Sequence, residues 1–233
     1  ASATEGGANV FSVDYFGRKA YLAQSPQFYK QMMVGIFERV FEVGPVFRAE
    51  PHDTPRHLNE YVSLDVEMGF ITDHTTVMAV LRTVIAGMLE QIRIQASDAL
   101  ALLGTRRETA LALPEAPEVI PAIHFSEAQE LVFRLTGEDC RGEPDLAPAH
   151  ERALGEWARR ERGSEFLFVV GYPMVKRPFY THPDPRRPEF SNSFDLLFRG
   201  LELVTGGQRL HRYADYLAAL AARGLATEPF EGY

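Results

Sequence analysis

Hydrophobic and polar residues alternate along two stretches of the chain, residues 39–47 and 61–70. Such alternation is typical of strands that bury one face and expose the other. A polar, turn-rich passage at 51–60 separates the two stretches, so the sequence predicts a β-hairpin with a long loop. Residues two apart share a face of a strand. The second strand therefore carries polar side chains on one face, at Tyr61, Ser63, Asp65 and Glu67.

Helical periodicity follows the hairpin, beginning after a suitable N-cap at Asp73 and reaching about residue 103. Ser25 and Pro26 predict the start of an earlier helix that ends near residue 37. Ser126 and Gln129 predict a capping box for a later helix. Further strands are predicted at 122–125, 165–171 and 193–204, and further helices at 127–135, 149–160 and 213–223.

The 233 residues are enough for one large domain or a domain with an insertion, and we predict that residues 104–163 are such an insertion. The formal charge of −8 gives no electrostatic basis for non-specific nucleic-acid binding, but it does not exclude a partner that meets a local basic patch. With Cys140 as the single cysteine, no internal disulfide forms, and a reducing, cytoplasmic setting is expected. No segment approaches the length of a membrane span.

Charged and polar residues fall into three clusters that suggest binding chemistry. Their members are Arg48, Glu50, Arg56, His57 and Asp65, then Ser25, Gln27 and Lys30, then Asp195, Glu202 and Arg209. Arginines fork onto phosphate oxygens and carboxylates hold Mg²⁺, so such clusters suit a nucleoside triphosphate with its metal. No glycine-rich phosphate loop is present. Ordinary surface ion pairs remain an alternative interpretation.

The spacing of Asp195 and Glu202 argues against a shared metal site. The two residues are seven apart, and an odd separation in a regular strand places side chains on opposite faces. A bulge at Gly200 would bring them to the same face.

Several strings of residues in the chain resemble one family. Residues 47–50, 56–60 and 64–67 resemble motif 2 of class II aminoacyl-tRNA synthetases. The wider strings are similar to aspartyl-tRNA synthetases of the archaeal and eukaryotic type, at 24–31, 177–181, 191–195 and 206–211. The resemblance runs from about residue 3 to residue 233 and is weakest in the predicted insertion. It implies that residues 1–233 are part of a class II catalytic domain, with an incomplete α+β fold in which helices flank an antiparallel sheet.

The resemblance implies a role for each clustered residue. ATP would contact Arg48, Glu50, Arg56, His57, Tyr61 and Glu202. The amino acid would contact Glu5, Ser25, Gln27, Lys30, Asp65 and Arg209. Mg²⁺ would be held by Asp195 and Glu202.

Within that set, the resemblance makes Arg48 the catalytic residue, which bridges the α-phosphate of ATP and the attacking carboxylate of the amino acid. Lys30 and Arg209 would together bind the side-chain carboxylate of aspartate. Ser25 and Asp65 would receive its α-ammonium group. Two cations for one anion would exclude neutral asparagine, because its binding would leave buried cations unpaired.

The implied activity is that of an aspartate–tRNA ligase in protein biosynthesis, with ATP and Mg²⁺, the tRNA for aspartate, and a homodimer in the complete protein. Whether the tRNA for asparagine is also charged stays open. Motif 1, motif 3 and the anticodon-binding domain would lie outside residues 1–233, so the isolated chain is expected to be inactive. Two alternatives remain: an asparaginyl-tRNA synthetase or related asparagine synthetase, and a non-catalytic synthetase-like module. The resemblance leads us to expect an acidic residue in place of Lys30 in the tRNA ligase for asparagine.

Overall fold

The computed structural model describes residues 10–49, 58–106 and 113–230. The chain divides into two compact units, one of residues 1–71 with 225–233 and the other of residues 72–224. No helix in the described ranges combines the length and the apolar character that crossing a membrane requires.

The first unit is built from two hairpins and a helix. Its elements are β1 (Ser12–Tyr15), β2 (Arg18–Tyr21), α1 (Gln27–Phe37), β3 (Arg39–Phe47), β4 (Glu60–Met68) and a short 3-10 helix (Glu228–Phe230). Strands β1 and β2 pair antiparallel, as do β3 and β4. Helix α1 begins at Gln27, so its N-cap is Pro26 and not the predicted Ser25. The Ser25 hydroxyl still accepts from the Gln27 backbone N–H at 3.2 Å.

The predicted hairpin is confirmed, and its register separates two unlike faces. Asp65 lies opposite Glu42 and Ser63 lies opposite Gly44. This polar face also carries Tyr61 and Glu67, which lie opposite Val46 and Val40. The other face is apolar and strongly exposed, since Phe41, Val43 and Val62 are 74%, 61% and 69% accessible. The polar side of the hairpin is thus the better buried one, contrary to the usual arrangement in which polar side chains face solvent.

The second unit places helices on both sides of a four-stranded sheet. Its elements are α2 (His74–Gln95), α3 (Ser97–Arg106), β5 (Ala122–His124), α4 (Phe125–Thr136), α5 (Pro148–Arg162), β6 (Phe166–Val170), β7 (Ser193–Phe198), β8 (Leu201–Gly207) and α6 (Tyr213–Ala222). The strand order is β5-β6-β7-β8, in which only β5 and β6 run parallel. The structure therefore adds one parallel pair to the predicted antiparallel sheet.

Alternate residues of β6 and β7 pack into two separate hydrophobic cores, one on each side of the sheet. Leu167 and Leu197 point to the side of the sheet covered by α4 and α5. Phe168 and Leu196 point to the other side, where they pack with Ile85 of α2. The period of two along β6 and β7 thus explains why both strands consist almost entirely of apolar residues, as expected of strands covered on both faces.

Two predicted elements are each divided in the structure. The helical stretch after Asp73 breaks at Ala96, which has φ −120° and ψ 24° and separates α2 from α3. The predicted strand at 193–204 is a hairpin, because Arg199 and Gly200 both have positive φ (52° and 77°) and form a two-residue turn. Two-residue turns of this kind match the twist of the strands that they join.

Helix α4 begins differently from the prediction. Its N-cap is His124, whose Nδ1 accepts from the Ser126 backbone N–H at 3.2 Å. The predicted capping box of Ser126 and Gln129 is wrong, because Gln129 instead donates through its side-chain amide to the carbonyl oxygens of Cys140 and Glu143. A histidine nitrogen here accepts the capping hydrogen bond that a serine or aspartate side-chain oxygen usually accepts at the start of a helix.

We predict that His124 makes the stability of the chain depend on pH. Burial, and then the nearby Arg187, lowers the pKa of His124 below its ordinary value of 6.5. Above pH 6.5 both the folded and unfolded states are neutral, so this contribution is fully present. As the pH falls from 6.5 towards the lowered pKa, the unfolded state binds the proton preferentially and stability is lost, and below the lowered pKa the loss is complete. Thermal melts between pH 7.5 and 5 should show a smaller loss for His124→Asn, which keeps a capping side chain.

His211→Asn is the matched control for that series, because His211 is exposed. Its pH dependence should equal that of the unaltered chain. Equal pH dependence of all three proteins would contradict the role given to His124.

We also predict that Gly155→Ala strongly destabilises the second unit. A Cβ added at Gly155 would lie 2.3 Å from the Gly200 nitrogen and 2.5 Å from its Cα, so α5 and the β7–β8 turn meet backbone to backbone. The expected loss in the free energy of unfolding is about 2 kcal/mol or more. Urea unfolding should compare it with Gly87→Ala in α2, where an added Cβ meets nothing within 4 Å. That control should be neutral or stabilising by up to about 1 kcal/mol.

Candidate functional site

The first unit contains a small pocket at the start of α1. It has a volume of about 140 Å³ and is lined by Ala23, Ser25, Pro26, Tyr29, Glu42, Gly44, Pro45, Val46 and Asp65. This is well below the roughly 300 Å³ at which pockets for drug-sized ligands begin, so it suits one end of a small molecule. Ser25 and Asp65, both predicted to bind an ammonium group, lie in the same pocket, and Glu42 adds a second carboxylate. Such a lining favours a cationic hydrogen-bond donor.

A buried lysine lies beside the pocket and contacts its acidic wall. Lys30 is 6% exposed, and its Nζ donates to Asp65 Oδ1 at 3.1 Å and lies 3.7 Å from Glu67 Oε2. Gln27 donates through its side-chain amide to Glu67 Oε2 at 3.1 Å and to Gln31 Oε1 at 3.2 Å. The structure therefore brings together three predicted residues, Gln27, Lys30 and Asp65. The formal charges of Lys30 and its two carboxylate neighbours sum to −1.

Arg48 lies directly after β3 and above an aromatic residue of β4. Its guanidinium carbon is 5.7 Å from the centre of the Tyr61 ring, and its backbone N–H donates to the Asn59 carbonyl at 2.9 Å. The buried Arg48 Nε has no hydrogen-bond partner among the described residues. A buried guanidinium nitrogen without a partner is costly unless a ligand satisfies it. Four other predicted residues, Glu5, Glu50, Arg56 and His57, lie outside the described residues.

A bulge in the sheet of the second unit places Asp195 and Glu202 on one face. Leu196 lies opposite Val204 while Leu197 lies opposite Glu202, so Leu203 is an extra residue in β8. Glu202 therefore shares a face with Leu197 and, two residues along β7, with Asp195. The predicted bulge exists, but it is at Leu203, because Gly200 belongs to the turn. The two carboxylates are diagonal neighbours across the strand pair, and such residues are typically separated by about 7–8 Å.

Asp195 is buried within a polar cluster of its own. Its Oδ1 accepts from the Thr205 hydroxyl at 2.6 Å and from Arg177 Nη2 at 3.1 Å. The guanidinium carbon of Arg177 lies 4.3 Å from the centre of the Tyr172 ring. Burial, and then the charge of Asp195, raises the pKa of Tyr172 far above its usual value, so Tyr172 stays protonated. Arg177, Thr205 and Tyr172 thus hold the Asp195 carboxylate in one orientation.

The two carboxylates, Asp195 and Glu202, fit a magnesium ion only if a substrate supplies further ligands. No three His, Cys, Asp or Glu side chains converge as a metal site in the parts of the chain that the structure describes. Mg²⁺ usually binds through one or two carboxylates together with substrate phosphates and water, rather than in a cage made of protein. Asp195 and Glu202 on one face meet that requirement.

Arg209, the remaining predicted residue, lies just beyond the glycine pair at the end of β8. Its guanidinium carbon is 4.0 Å from the centre of the Tyr180 ring. The glycines are needed for close packing against β7, since a Cβ at Gly206 would lie 2.6 Å from the Phe194 ring and one at Gly207 would lie 2.9 Å from Ser193 Cβ. The group that approaches this glycine pair closely is thus the neighbouring strand.

Several contact residues were given no role by the sequence alone. Glu42, Glu67, Arg177 and Thr205 all contact or line the groups described above. Glu67 could have been found, because it shares the polar face of β4 with Asp65. Thr205 and Arg177 could not, because the bulge and the loop that position them leave no periodic signal.

The chain as a whole, residues 1–233, matches the family described as tRNA synthetases class II (D, K and N). It therefore belongs to this family of class II tRNA synthetases, and the family predicted from the motifs is confirmed. Its relatives include the aspartate–tRNA(Asp/Asn) ligase of Thermus thermophilus, which is 49% identical over 229 residues, or 98% of this chain and 52% of that protein. The ligase of the same name from Deinococcus radiodurans is 47% identical over 238 residues, covering 100% of this chain and 53% of that protein. The chain thus spans about half the length of these relatives.

Solved structures of the same class share the fold. Aspartyl-tRNA synthetase from Entamoeba histolytica superposes with a TM-score of 0.82 at 34% identity, over 91% of this chain and 43% of that one. Asparaginyl-tRNA synthetase from Pyrococcus horikoshii, complexed with asparaginyl-adenylate, gives a TM-score of 0.81 at 28% identity, over 99% of this chain and 51% of that one. The predicted α+β class II fold is confirmed.

Proposed function

We propose that this chain supplies the aspartate-activating site of an aspartate–tRNA ligase. The observation that carries the proposal is the buried Lys30, held at 3.1 Å from Asp65 beside a pocket that also contains Ser25. In a family that activates amino acids, Lys30 supplies a cation directly beside a pocket whose Ser25 and Asp65 suit an ammonium group, which is the combination that an amino acid with an anionic side chain requires. Relatives named aspartate–tRNA(Asp/Asn) ligase, at 49% and 47% identity, support the same substrate.

In the proposed reaction, the α-carboxylate of aspartate attacks the α-phosphorus of ATP. A P–O bond to the carboxylate forms while the bond to the pyrophosphate oxygen breaks, giving aspartyl-adenylate and pyrophosphate. The nucleophile is already ionised, so no general base is needed. Positioning and charge neutralisation supply the rate enhancement. A tRNA hydroxyl then attacks the activated carbonyl carbon, and AMP leaves.

Arg48 is the proposed catalytic residue, which holds both the attacking carboxylate and the α-phosphate. Its buried, unpartnered Nε among the described residues fits a donor that is satisfied by substrate. Tyr61 would bind the adenine ring, and Glu50, Arg56 and His57 would bind the adenine and the outer phosphates. A magnesium ion bound by Asp195 and Glu202 would neutralise phosphate charge.

The proposed contacts to aspartate divide by charge. Ser25 and Asp65, with Glu42 beside them, suit the α-ammonium group because their pocket is acidic. Lys30 and Arg209 are the proposed ligands of the side-chain carboxylate, with Gln27 alongside and Glu5 closing over the amino group. Asparagine, which has no charge in its side chain, would lose the charge-assisted contacts to these two cations.

Further properties are proposed for the full-length protein. The printed name of the relatives, aspartate–tRNA(Asp/Asn) ligase, supports charging of both tRNAs, and homodimer formation follows from the family resemblance. A cytoplasmic location is supported by the single cysteine, Cys140, which is 1% exposed and whose thiol pKa is raised by burial. Such a thiol is poorly suited to disulfide formation.

Pyrophosphate exchange tests the proposal. The full-length protein that carries this chain should exchange pyrophosphate into ATP with aspartate, and kcat/KM for asparagine should be lower by at least about a hundredfold. Preferential activation of asparagine would replace this proposal with the asparaginyl alternative. Exchange with neither amino acid would favour a non-catalytic module.

A further inference from the structure

The guanidinium group of Arg209 lies over the face of an aromatic ring. The distance from Arg209 Cζ to the centre of the Tyr180 ring is 4.0 Å, well inside the roughly 6 Å range of cation–π attraction. The backbones of the two segments are also joined, since Thr181 and Arg209 form an antiparallel bridge and the Leu210 N–H donates to the Tyr180 carbonyl at 2.8 Å. Ring and guanidinium are therefore fixed to each other at both the main chain and the side chain.

The Tyr180 ring is itself held by neighbouring aromatic residues. Its edge meets the Phe179 ring at a centroid distance of 5.3 Å, and Phe179 is buried, with 9% exposure. Phe179 in turn packs against Tyr216 at 6.3 Å. The Tyr216 hydroxyl donates to the Leu210 carbonyl at 2.6 Å, which returns the chain of contacts to the residue after Arg209. This closed set of contacts keeps the ring from moving independently of Arg209.

Stacking suits an arginine that must bind a carboxylate. The N–H donors of a guanidinium lie in its own plane, so a ring on its face orients the group without competing for those donors. The in-plane fork then matches both oxygens of a carboxylate. A long side chain with several rotatable bonds also loses less entropy on binding when it is already ordered.

The charges around Lys30 make Arg209 the more important cation for substrate choice. Lys30 already faces two carboxylates, Asp65 at 3.1 Å and Glu67 at 3.7 Å. The two carboxylates offset the charge of Lys30, so Lys30 contributes to binding of the side chain but does not by itself set the distinction between a charged and a neutral one. The distinction between aspartate and asparagine then depends mainly on a second cation.

We propose that Tyr180 is a positioning residue, which fixes Arg209 in the orientation that binds the side-chain carboxylate of aspartate and so sets the discrimination against asparagine. This inference rests on the proposed function, in which Arg209 contacts that carboxylate. Tyr180 does not touch the reacting atoms, and its effect on the reaction passes through Arg209.

The test compares Tyr180→Leu, which removes the ring, with Tyr180→Phe, which keeps it, in the full-length protein. Calorimetric titration with aspartate should show a Kd raised about tenfold for Tyr180→Leu, the size expected of a partly desolvated cation–π contact, or about 1.4 kcal/mol. For Tyr180→Phe, the Kd should stay within about threefold of that of the unaltered protein.

Pyrophosphate exchange is the second measurement. The KM for ATP should be unchanged in both variants, and the preference for aspartate over asparagine should fall about tenfold for Tyr180→Leu only. Tyr213→Leu, at a residue that is 78% exposed, is the matched control.

An Arg209→Ala variant distinguishes failure of this inference from failure of the proposed function. If Arg209→Ala leaves aspartate binding unchanged, the role of Arg209 in the proposed function is wrong. If Arg209→Ala weakens aspartate binding but Tyr180→Leu does not, only the inference about Tyr180 is overturned. In the double variant, Arg209→Ala with Tyr180→Leu, aspartate should bind no more weakly than it does to Arg209→Ala alone. If the two losses of affinity were additive, the inference would also be overturned. Should Tyr180→Leu fail to fold, Tyr180→Met provides a second ring-free side chain for the same measurements.

Discussion

Replacing Arg48 with alanine is expected to lower the rate of aspartyl-adenylate formation in the full-length protein by about a thousandfold, the range found when an arginine that stabilises phosphoryl charge is removed. The loss should fall on the rate constant for chemistry more than on the KM for ATP, because Arg48 is proposed to bridge the nucleophile and the α-phosphate in the transition state. Single-turnover rapid quench with labelled ATP measures that rate directly.

The same strand provides a control for this substitution. Arg39 lies at the opposite end of β3, where it is exposed. Arg39→Ala removes the same charge from the same strand and should change the rate by less than about twofold. A fall of less than tenfold for Arg48→Ala would contradict the catalytic role, and a similar fall in both variants would indicate a general effect on the hairpin.

Replacing Lys30 with methionine is expected to affect both binding and stability. Methionine fills similar space without charge, so Asp65 and Glu67 would face each other with no cation between them. Removing one partner of a buried ion pair costs about 3 kcal/mol or more. Because the side chains of Asp65 and Glu67 are 27% and 17% exposed, we expect the free energy of unfolding to fall by about 2 kcal/mol here.

The same Lys30→Met substitution should raise the KM for aspartate by at least about a hundredfold, measured by pyrophosphate exchange.

Lys19 is the matched control for Lys30. It forms a surface ion pair with Asp14 at 2.7 Å, and its side chain is 60% exposed. Lys19→Met should change neither the melting temperature by more than about 1 °C nor the KM for aspartate by more than about twofold, because exposed ion pairs contribute little. If Lys30→Met bound aspartate normally, the proposed ligand role of Lys30 would be wrong even if the protein were less stable.

The hairpin of the first unit shows how much of the site the sequence can specify. Alternation along residues 39–47 and 61–70 predicts both strands, and the period of two assigns Asp65 and Glu67 to one face. The sequence does not say which face is buried. A polar face would ordinarily be assigned to solvent, and only the structure shows that Lys30 packs against it.

The second unit shows where local patterns fail. The apolar run at 193–204 carries no periodic sign of the turn at Arg199 and Gly200, because β7 is buried on both faces and β8 keeps apolar residues even at its exposed positions, Leu201 and Leu203. The two strands therefore read as one hydrophobic segment. Capping of α4 by His124 was missed since Ser126 matches the common motif. The prediction that residues 104–163 form an insertion stays a prediction.

The extra residue in β8 has a consequence for how such a site changes during evolution. Leu203 is 53% exposed, so the identity of its side chain matters little, whereas its presence in the strand decides the face on which Glu202 lies. The pairing of two carboxylates therefore depends on a count of residues rather than on any one residue type. Substitutions at this position can drift freely, but the loss or gain of a single codon would separate the two acids in one step. Selection at this point therefore acts on the number of residues in β8. A sequence comparison that allows a gap here would not detect that Asp195 and Glu202 had been separated.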